Sequence, residues 1–300
     1  MLLLDHVKTL LGNKNLNAHW RFKLLGDPIE GSSAKVHQVQ DKKTGEVFAL
    51  KVLYPNRLRE SQARFEGMSK LSEAKITAKV QHPNIIELRE DGLTLDEEPY
   101  LLLEWFEGKL LSEVMRYSSE VAGKRLTFLR HAAEALAAVH RTGLLHRNPR
   151  PEKFLVNVAD ETLKLFDFGT AVPNDPKYIR AGARLVHADY APPETLKRDA
   201  KTNATVEVFA FGVTAYQLFT GRLPWPYMET TSVARAMREA VDIRQCKPSM
   251  HPVLAEAIMS CLENNPRARP QSMDEFLRRI ASVESEEASS PAGNQAESQA

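Results

Sequence analysis

The sequence contains little cysteine, little net charge and no long apolar segment. Its two cysteines, Cys246 and Cys261, are too few for a disulfide framework and lack the Cys/His spacing of a zinc site. The 40 basic and 39 acidic residues nearly cancel, so no overall field attracts the chain to nucleic acid or to an anionic membrane. No segment approaches the roughly 20 apolar residues that a membrane-spanning helix requires. Together these features predict a soluble, cytoplasmic protein that has no membrane span and no nucleic-acid partner.

The two ends of the chain differ in composition from the part between them. The opening MLLLDHVKTLLG spaces its apolar residues as a helix does, but it lacks the basic start and long apolar run of a signal peptide. We expect residues 1–18 to be a helical extension that packs on the domain, although the same face would also suit a membrane surface or a partner. Residues 283–300 are rich in Ser, Glu, Ala and Gln, which predicts a disordered tail.

Between these ends, strand patterns come first and helical patterns follow. Residues 35–53 contain two apolar runs around a Lys-Thr-Gly turn, residues 60–80 have helical periodicity, and residues 85–106 predict two strands around an acidic turn. Later apolar runs favour helices: residues 126–143, 206–221, 251–266 and 272–283. This order predicts an α+β protein with a small antiparallel β lobe, one key helix in that lobe, a larger helical lobe and a cleft between the two.

Several short motifs follow one another within residues 19–282. The strand FALK ends at Lys51, Glu73 lies in the next helix ahead of HPN, and Asp167 begins an Asp-Phe-Gly turn after the loop HRN. Each motif alone is weak, because an apolar strand ending in lysine is common and Asp-Phe-Gly is often only a turn. In this order, with a later Pro-Pro-Glu and Arg-Pro, they resemble the protein-kinase family, of the serine/threonine type, over residues 19–282.

The resemblance implies a fold and a set of roles. It implies an N-lobe at residues 19–104 and a C-lobe at residues 107–282, with Lys51 paired to Glu73 and Asp167 as the ligand of the nucleotide's metal. It implies further positions around the adenine: Val36, Ala49 and Leu155 on its two faces, Leu103 as gatekeeper, and Glu104, Trp105 and Phe106 as the hinge. Glu194 and Arg269 match the family's buried ion pair, and His146 and Phe168 match part of its internal spine.

The glycine-rich loop departs from the family pattern. Ile29, Gly31 and Ala34 stand at its three glycine positions, so one glycine of three is present. Glycine at these positions lets the backbone approach the phosphates closely, and Ile29 stiffens the start of the turn. Taken alone, this divergence is compatible with a working kinase.

The loop LLHRNPRPEKFLV departs further. Asn148 stands where the family has its aspartate base, and a neutral amide is far less basic than a carboxylate. Arg150 replaces a phosphate-contacting lysine and keeps its charge in another shape. Lys153 replaces a metal-binding asparagine, and its ammonium cannot ligate Mg²⁺ while protonated. We expect Lys153 instead to contact a phosphate directly, which lowers the need for a second metal.

The segment after Asp-Phe-Gly changes as well. His187 stands where a hydroxyl residue normally contacts the catalytic aspartate, and no serine or threonine occurs between Ala171 and Asp189. Arg147, which pairs with an activation-loop phosphate in many kinases, therefore has no such phosphoserine or phosphothreonine in this stretch. Ordinary Ser/Thr phosphorylation of the loop is not expected to regulate the protein.

The changes concentrate on the proton- and metal-handling centre, whereas the positions that support the fold are kept. We therefore predict a pseudokinase, a regulatory or scaffolding module that acts through protein partners in signalling. ATP binding stays open, and Mg²⁺ binding is expected to be weakened. Two alternatives are a weak or unconventional Ser/Thr kinase that transfers the γ-phosphate of ATP to protein, and phosphate chemistry on a non-protein substrate.

Overall fold

A computed structural model describes residues 15–116, 120–181, 187–196, 203–225 and 238–287. Its strands are Asn15–Leu16 (β1), Phe22–Leu24 (β2), Ile29–Glu30 (β3), Ala34–Asp41 (β4), Val47–Leu53 (β5), Leu88–Thr94 (β6), Pro99–Glu104 (β7), Lys109–Leu110 (β8), Leu144–Leu145 (β9), Phe154–Asn157 (β10), Thr162–Leu165 (β11) and Val172–Pro173 (β12). Its α-helices are Ala18–Arg21 (α1), Pro55–Ala63 (α2), Glu73–Lys79 (α3), Leu111–Val114 (α4), Arg125–Arg141 (α5), Pro176–Ala181 (α6), Thr205–Thr220 (α7), Ile243–Cys246 (α8), Pro252–Cys261 (α9) and Met273–Arg279 (α10). Most of the predicted N-terminal extension and C-terminal tail lies outside the described residues.

The small lobe is built on one sheet with the strand order β1-β6-β7-β5-β4-β2, in which β3 also pairs with β4. Its pairs are antiparallel apart from β1 with β6, as expected for strands joined by short turns. Val36 lies opposite Lys51, and Ala49 lies opposite Leu103, so these four residues share one face of the sheet. That face forms the roof of the cleft. The predicted antiparallel lobe is confirmed.

The helical run predicted over residues 60–80 is wrong in its extent. Helix α2 ends at Ala63, and α3 begins only at Glu73, where the Ser72 hydroxyl caps it by accepting a hydrogen bond from the backbone N–H of Lys75. Between the two helices, Gly67 has a φ of 74°, a left-handed conformation that interrupts a helix. The key helix of the small lobe is therefore the short α3.

The larger lobe is helical and is organised around α7. This helix is buried on nearly every side, as its apolar sequence predicts, and it packs against α5 and α9. A Cβ atom on Gly212 would lie 2.6 Å from the Cβ of Cys261, so glycine lets α7 and α9 approach closely. Gly143, with a φ of 75°, follows the end of α5 as the sequence predicts. Among the described residues, no helix is both long enough and apolar enough to cross a membrane.

The packed chain extends beyond the predicted domain boundary at residue 282. Val283 is buried, and the carboxylate of Glu286 lies 3.3 Å from Arg125 and 3.2 Å from Lys247. The backbone N–H of His251 also donates to the carbonyl of Glu286. Composition could not reveal these contacts, because their partners lie far away in the sequence.

A buried ion pair joins the segment after Asp-Phe-Gly to the end of the large lobe. The two terminal nitrogens of Arg269 donate to the two carboxylate oxygens of Glu194 at 2.7 and 2.8 Å. Arg269 also donates to the carbonyl oxygens of Glu263 and Thr205, so hydrogen bonds within the protein replace those that its charge would make with water. Both members of the pair are buried, as the resemblance implies.

Replacing Glu194 with glutamine should lower the free energy of unfolding by about 3–5 kcal/mol, because the buried guanidinium of Arg269 loses its counter-charge. Urea unfolding followed by circular dichroism measures the change. The matched control is Glu60→Gln, whose partner Arg57 is exposed, and there a change of about 0–1 kcal/mol is expected. Equal losses of unfolding free energy in the two variants would contradict the larger contribution expected of the buried pair.

Candidate functional site

Three charged side chains meet where the two lobes face each other. The Nζ of Lys51 lies 2.6 Å from Glu73 Oε1 and 2.8 Å from Asp167 Oδ1. Burial lowers the pKa of Lys51, but the two carboxylates more than offset this effect, so its pKa is raised and the ammonium stays charged. The structure thus contains the Lys51–Glu73 pair that the sequence predicts, and it brings Asp167 to the same ammonium.

The backbone around Asp167 positions the turn that follows it. Asp167 has a φ of 68° and a ψ of 76°, a left-handed conformation that is uncommon for a residue with a side chain. The chain then places Phe168 in the interior, edge-on to the ring of His146 with 5.0 Å between ring centroids. His146 Nε2 lies 3.0 Å from the carbonyl oxygen of Phe166, and burial lowers the pKa of the imidazole, so the ring is neutral and donates there.

Lys153 reaches the second oxygen of the same carboxylate. Its Nζ is hydrogen-bonded to Asp167 Oδ2, while Lys51 holds Oδ1. Burial raises the pKa of Asp167, but the two ammonium groups outweigh burial and hold that pKa well below its usual range. Sequence reasoning missed this contact. The signal in the sequence was the lysine itself. It stands at a position where the resemblance implies a metal ligand, and the resemblance assigns the same metal to Asp167.

The apolar residues predicted around the adenine line both sides of the cleft. Val36, Ala49 and Leu103 share the sheet face described above, and Leu155 lies on β10 in the other lobe, opposite Leu110. All four, with Phe106, are half-buried, as residues lining an open cleft should be. A flat aromatic ring would fit between such surfaces.

The side chain of Glu104 has a different role from the rest of the hinge. Its carboxylate accepts hydrogen bonds from Lys164 at 2.6 Å and from the backbone N–H of Glu87 at 2.8 Å. It therefore ties the hinge to β11 of the large lobe and to the loop ahead of β6. No local pattern indicates this bridge, because Lys164 lies sixty residues away from Glu104 in the chain.

The loop that contains Asn148 keeps its shape through contacts on its buried side. Glu207, on α7, accepts the backbone N–H groups of His146 and Arg147, and its carboxylate also lies 2.6 Å from His140 Nε2. The hydroxyl of Thr214 donates to the carbonyl of Pro149 at 2.7 Å. These bonds hold the backbone and do not depend on the residue at position 148.

On its open side, this loop carries the altered residues. Asn148 is half-buried, and within the described part of the chain its carboxamide makes no hydrogen bond. Arg150 lies nearby, with its Nε 3.7 Å from the carboxylate of Glu152. The exposed ring of His187 accepts from the backbone N–H of Asp189 and packs edge-on against Tyr190, and it does not contact Asn148. These three predicted site residues therefore do not form one hydrogen-bonded group.

A family model described as the protein kinase domain matches residues 22–280. The chain belongs to the protein kinase family. It is 27% identical over 286 residues to the serine/threonine-protein kinase pkn2 of Myxococcus xanthus, with 92% of this chain and 34% of that protein covered. It is 31% identical over 263 residues to an Aurora kinase of Schizosaccharomyces pombe, with 85% of this chain and 69% of that protein covered.

The solved structures give the same fold. A crystal structure of Rad53 in complex with AMP-PNP matches with a TM-score of 0.68 and 19% sequence identity, and covers 86% of this chain and 64% of that one. At this identity the likeness concerns the fold alone. The two-lobed kinase fold predicted from the sequence is confirmed, whereas the roles of individual residues rest on the contacts described here.

The kinase cleft suits a nucleotide better than it suits Mg²⁺. Its apolar walls and the Lys51 ammonium fit an adenine and a phosphate chain. Mg²⁺ needs several oxygen ligands, yet both oxygens of Asp167 are taken by ammonium groups, and Lys153 offers no lone pair while protonated. Within the described residues, no group of three or more His, Cys, Asp or Glu side chains could hold a metal ion.

The kinase glycine-rich loop forms its turn without the family's full set of glycines. Strand β3 pairs Ile29 with Val36, and the side chain of Ile29 is 67% exposed. Gly31 donates its backbone N–H to the carbonyl of Ala34, and a Cβ atom on Gly31 would lie only 3.0 Å from that oxygen. The one glycine that is kept is therefore also the one that the turn requires sterically.

In its described residues, the activation segment is held by a hydrogen bond and an apolar contact. The guanidinium of Arg147 donates to the carbonyl oxygen of Ile179 at 2.7 Å, and burial lowers the pKa of Arg147 to about 10. Phe65, from the turn ahead of α3, stacks on Tyr178 with ring centroids 6.4 Å apart. These rings belong to a buried cluster that also contains Leu145, Val172 and Ile179. An apolar contact thus joins the small lobe to the activation segment.

Replacing Phe65 with alanine should remove this contact and cost about 3–5 kcal/mol of unfolding free energy, the usual range for a buried phenylalanine. We also expect faster backbone amide exchange in α6, measured by mass spectrometry. Leu71→Ala, at a partly exposed position near α3, is the control and should leave α6 unchanged. Unchanged exchange in α6 of the Phe65 variant would show that the ring does not hold the segment.

Proposed function

We propose that this protein kinase domain is a pseudokinase, a regulatory or scaffolding module that binds a nucleotide without efficient phosphate transfer. One observation carries the proposal: the side chain of Lys153 occupies the carboxylate of Asp167, at the place where the kinase reaction needs metal ligands. Asn148 adds to this, because no carboxylate stands at its position to accept the proton of a substrate hydroxyl. Both changes act on the same chemical step.

Nucleotide binding is supported by the parts of the cleft that are intact. The half-buried apolar walls on β4, β5 and β10 suit an adenine, and the buried Lys51 supplies a fixed positive charge for phosphates. The Rad53 structure with AMP-PNP shows that this fold holds such a nucleotide in that protein. In this chain, ATP is the proposed ligand, and we expect Mg²⁺ to bind with it only weakly.

Action through protein partners follows from the loss of the chemical step. A domain that keeps two ordered lobes and a held activation segment presents a stable surface that responds to nucleotide through Lys51 and α3. We place this role in cytoplasmic signalling. This chain spans only 34% of the length of pkn2, so the whole activity and the partners of that relative are not transferred.

A weak Ser/Thr kinase is the second candidate, and one observation favours it. Lys51, Glu73 and Asp167 are joined in a single bonded array, which is the arrangement that phosphate transfer requires on this side of the cleft. Phosphate transfer depends mainly on positioning and electrostatics, so the loss of a base slows the step without forbidding it. The relative pkn2 is named as a serine/threonine-protein kinase.

Purified protein should show no transfer of radiolabelled γ-phosphate to itself or to a degenerate Ser/Thr peptide mixture. Asn148→Asp restores a carboxylate at the base position, and the double variant Asn148→Asp, Lys153→Asn also restores the metal-binding amide. We expect measurable turnover only in the double variant, because base and metal ligand serve the same step. Scintillation counting of the products measures it.

Two controls decide between the candidates. Lys51→Met should abolish any kinase activity that truly arises in this cleft, whereas Lys43→Met, at an exposed turn, should not change it. Activity in the unmodified protein that disappears in Lys51→Met would overturn the pseudokinase proposal and establish the weak kinase.

ATP at 100 times its dissociation constant should stabilise the protein by about 2.7 kcal/mol, because it binds only the folded state. A thermal-shift titration measures this change, and Lys51→Met should reduce it by weakening phosphate contacts. Lys43→Met should behave like the unmodified protein. A flat titration at millimolar ATP would contradict nucleotide binding.

A further inference from the structure

We infer that Lys153 takes the place of the divalent cation, so that this cleft binds the phosphate groups of a nucleotide directly and without Mg²⁺. The inference rests on the proposed nucleotide binding and specifies the chemical form of the ligand, a metal-free nucleotide polyphosphate.

The backbone holds Lys153 in place. Lys153 ends the short 3₁₀ turn Pro151–Lys153, its N–H donates to the carbonyl of Arg150 at 2.8 Å, and its own carbonyl accepts the N–H of Phe166 at 3.1 Å. The last bond joins Lys153 to the residue directly before Asp167. The ammonium is therefore positioned before any ligand arrives, and less side-chain freedom is lost on binding.

The ammonium of Lys153 retains hydrogen-bonding capacity. An ammonium carries three N–H donors, and within the described residues Asp167 is the only acceptor that Lys153 contacts. Two donors are left for phosphate oxygens. Lys51 uses one donor for Glu73 and one for Asp167, so it also has one left. Two fixed ammonium groups on either side of one carboxylate can thus share a phosphate chain between them.

The charges around Asp167 favour an anion over a cation. A lone carboxylate here would repel phosphate and would need a metal ion to bridge the two. Asp167 instead has one ammonium on each oxygen, so its negative charge is already neutralised on both sides. A divalent cation would have to displace or approach both ammonium groups, whereas a phosphate would be attracted to both.

Binding of ATP to the full chain, measured by isothermal titration calorimetry, tests the inference. Each titration is run once in EDTA and once in excess Mg²⁺. The unmodified protein should bind ATP with dissociation constants that agree within about threefold between the two conditions. A kinase cleft that needs a bridging metal should instead lose most of its affinity in EDTA.

Three variants test whether Lys153 is responsible for metal-free binding of ATP. Lys153→Asn should lose roughly tenfold to hundredfold in affinity in EDTA, because charge-assisted contacts disappear, and should regain affinity in Mg²⁺ through the restored amide oxygen. Lys153→Arg keeps a positive charge and should retain metal-free binding. Lys43→Asn makes the same change of charge at an exposed turn and should match the unmodified protein. Urea unfolding of each variant confirms that it is folded.

The outcomes separate the inference from the function on which it rests. If the unmodified protein binds ATP only with Mg²⁺, nucleotide binding stands and the role of Lys153 is overturned. If Lys153→Asn binds as tightly in EDTA as the unmodified protein, the role of Lys153 is likewise overturned. If the unmodified protein binds ATP in neither condition, the proposed nucleotide function and the inference both fail.

Discussion

The carboxylate of Asp167, held between the ammonium groups of Lys51 and Lys153, is the contact on which the rest of the cleft depends. Through it, strand β5, helix α3 and the 3₁₀ turn Pro151–Lys153 are joined at one point. At Asp167 the backbone is left-handed, and the next residue, Phe168, packs in the interior against His146. The same two ammonium groups that join these elements also neutralise the carboxylate to which the resemblance assigns the metal.

Burial explains which family positions persist in this kinase domain and which do not. Glu194 and Arg269 are buried and bonded on several sides, so a change at either would leave an uncompensated charge. Asn148 and Lys153 lie on the open side of the same loop and are only half-buried. Substitution at these two positions therefore costs the fold little, because the contacts that hold the backbone of the loop do not involve their side chains.

The activation segment shows how one physical link can replace another. The segment contains no serine or threonine between Ala171 and Asp189, yet its helix α6 is fixed by the carbonyl of Ile179 on Arg147 and by Tyr178 on Phe65. A phosphate would supply an electrostatic link that a second enzyme adds or removes. A buried apolar contact depends on no second enzyme, because it forms as the chain folds.

The sequence alone determined the antiparallel lobe and the buried helix α7, which follow from local periodicity. It also determined the protein kinase fold and the Lys51–Glu73 pair, which follow from the resemblance that the ordered motifs carry. The break in the helical run at Gly67, the packing of Val283–Glu287, the Glu104–Lys164 bridge and the Phe65 cluster were decided by the tertiary structure. Their partners are distant in the chain, and neither periodicity nor composition records which distant groups meet. The sequence, through its resemblance, identified Lys153 as a cation at a metal position. Only the tertiary structure showed that this cation contacts the carboxylate of Asp167, because a backbone hydrogen bond between Lys153 and Phe166 brings the two segments of the large lobe together.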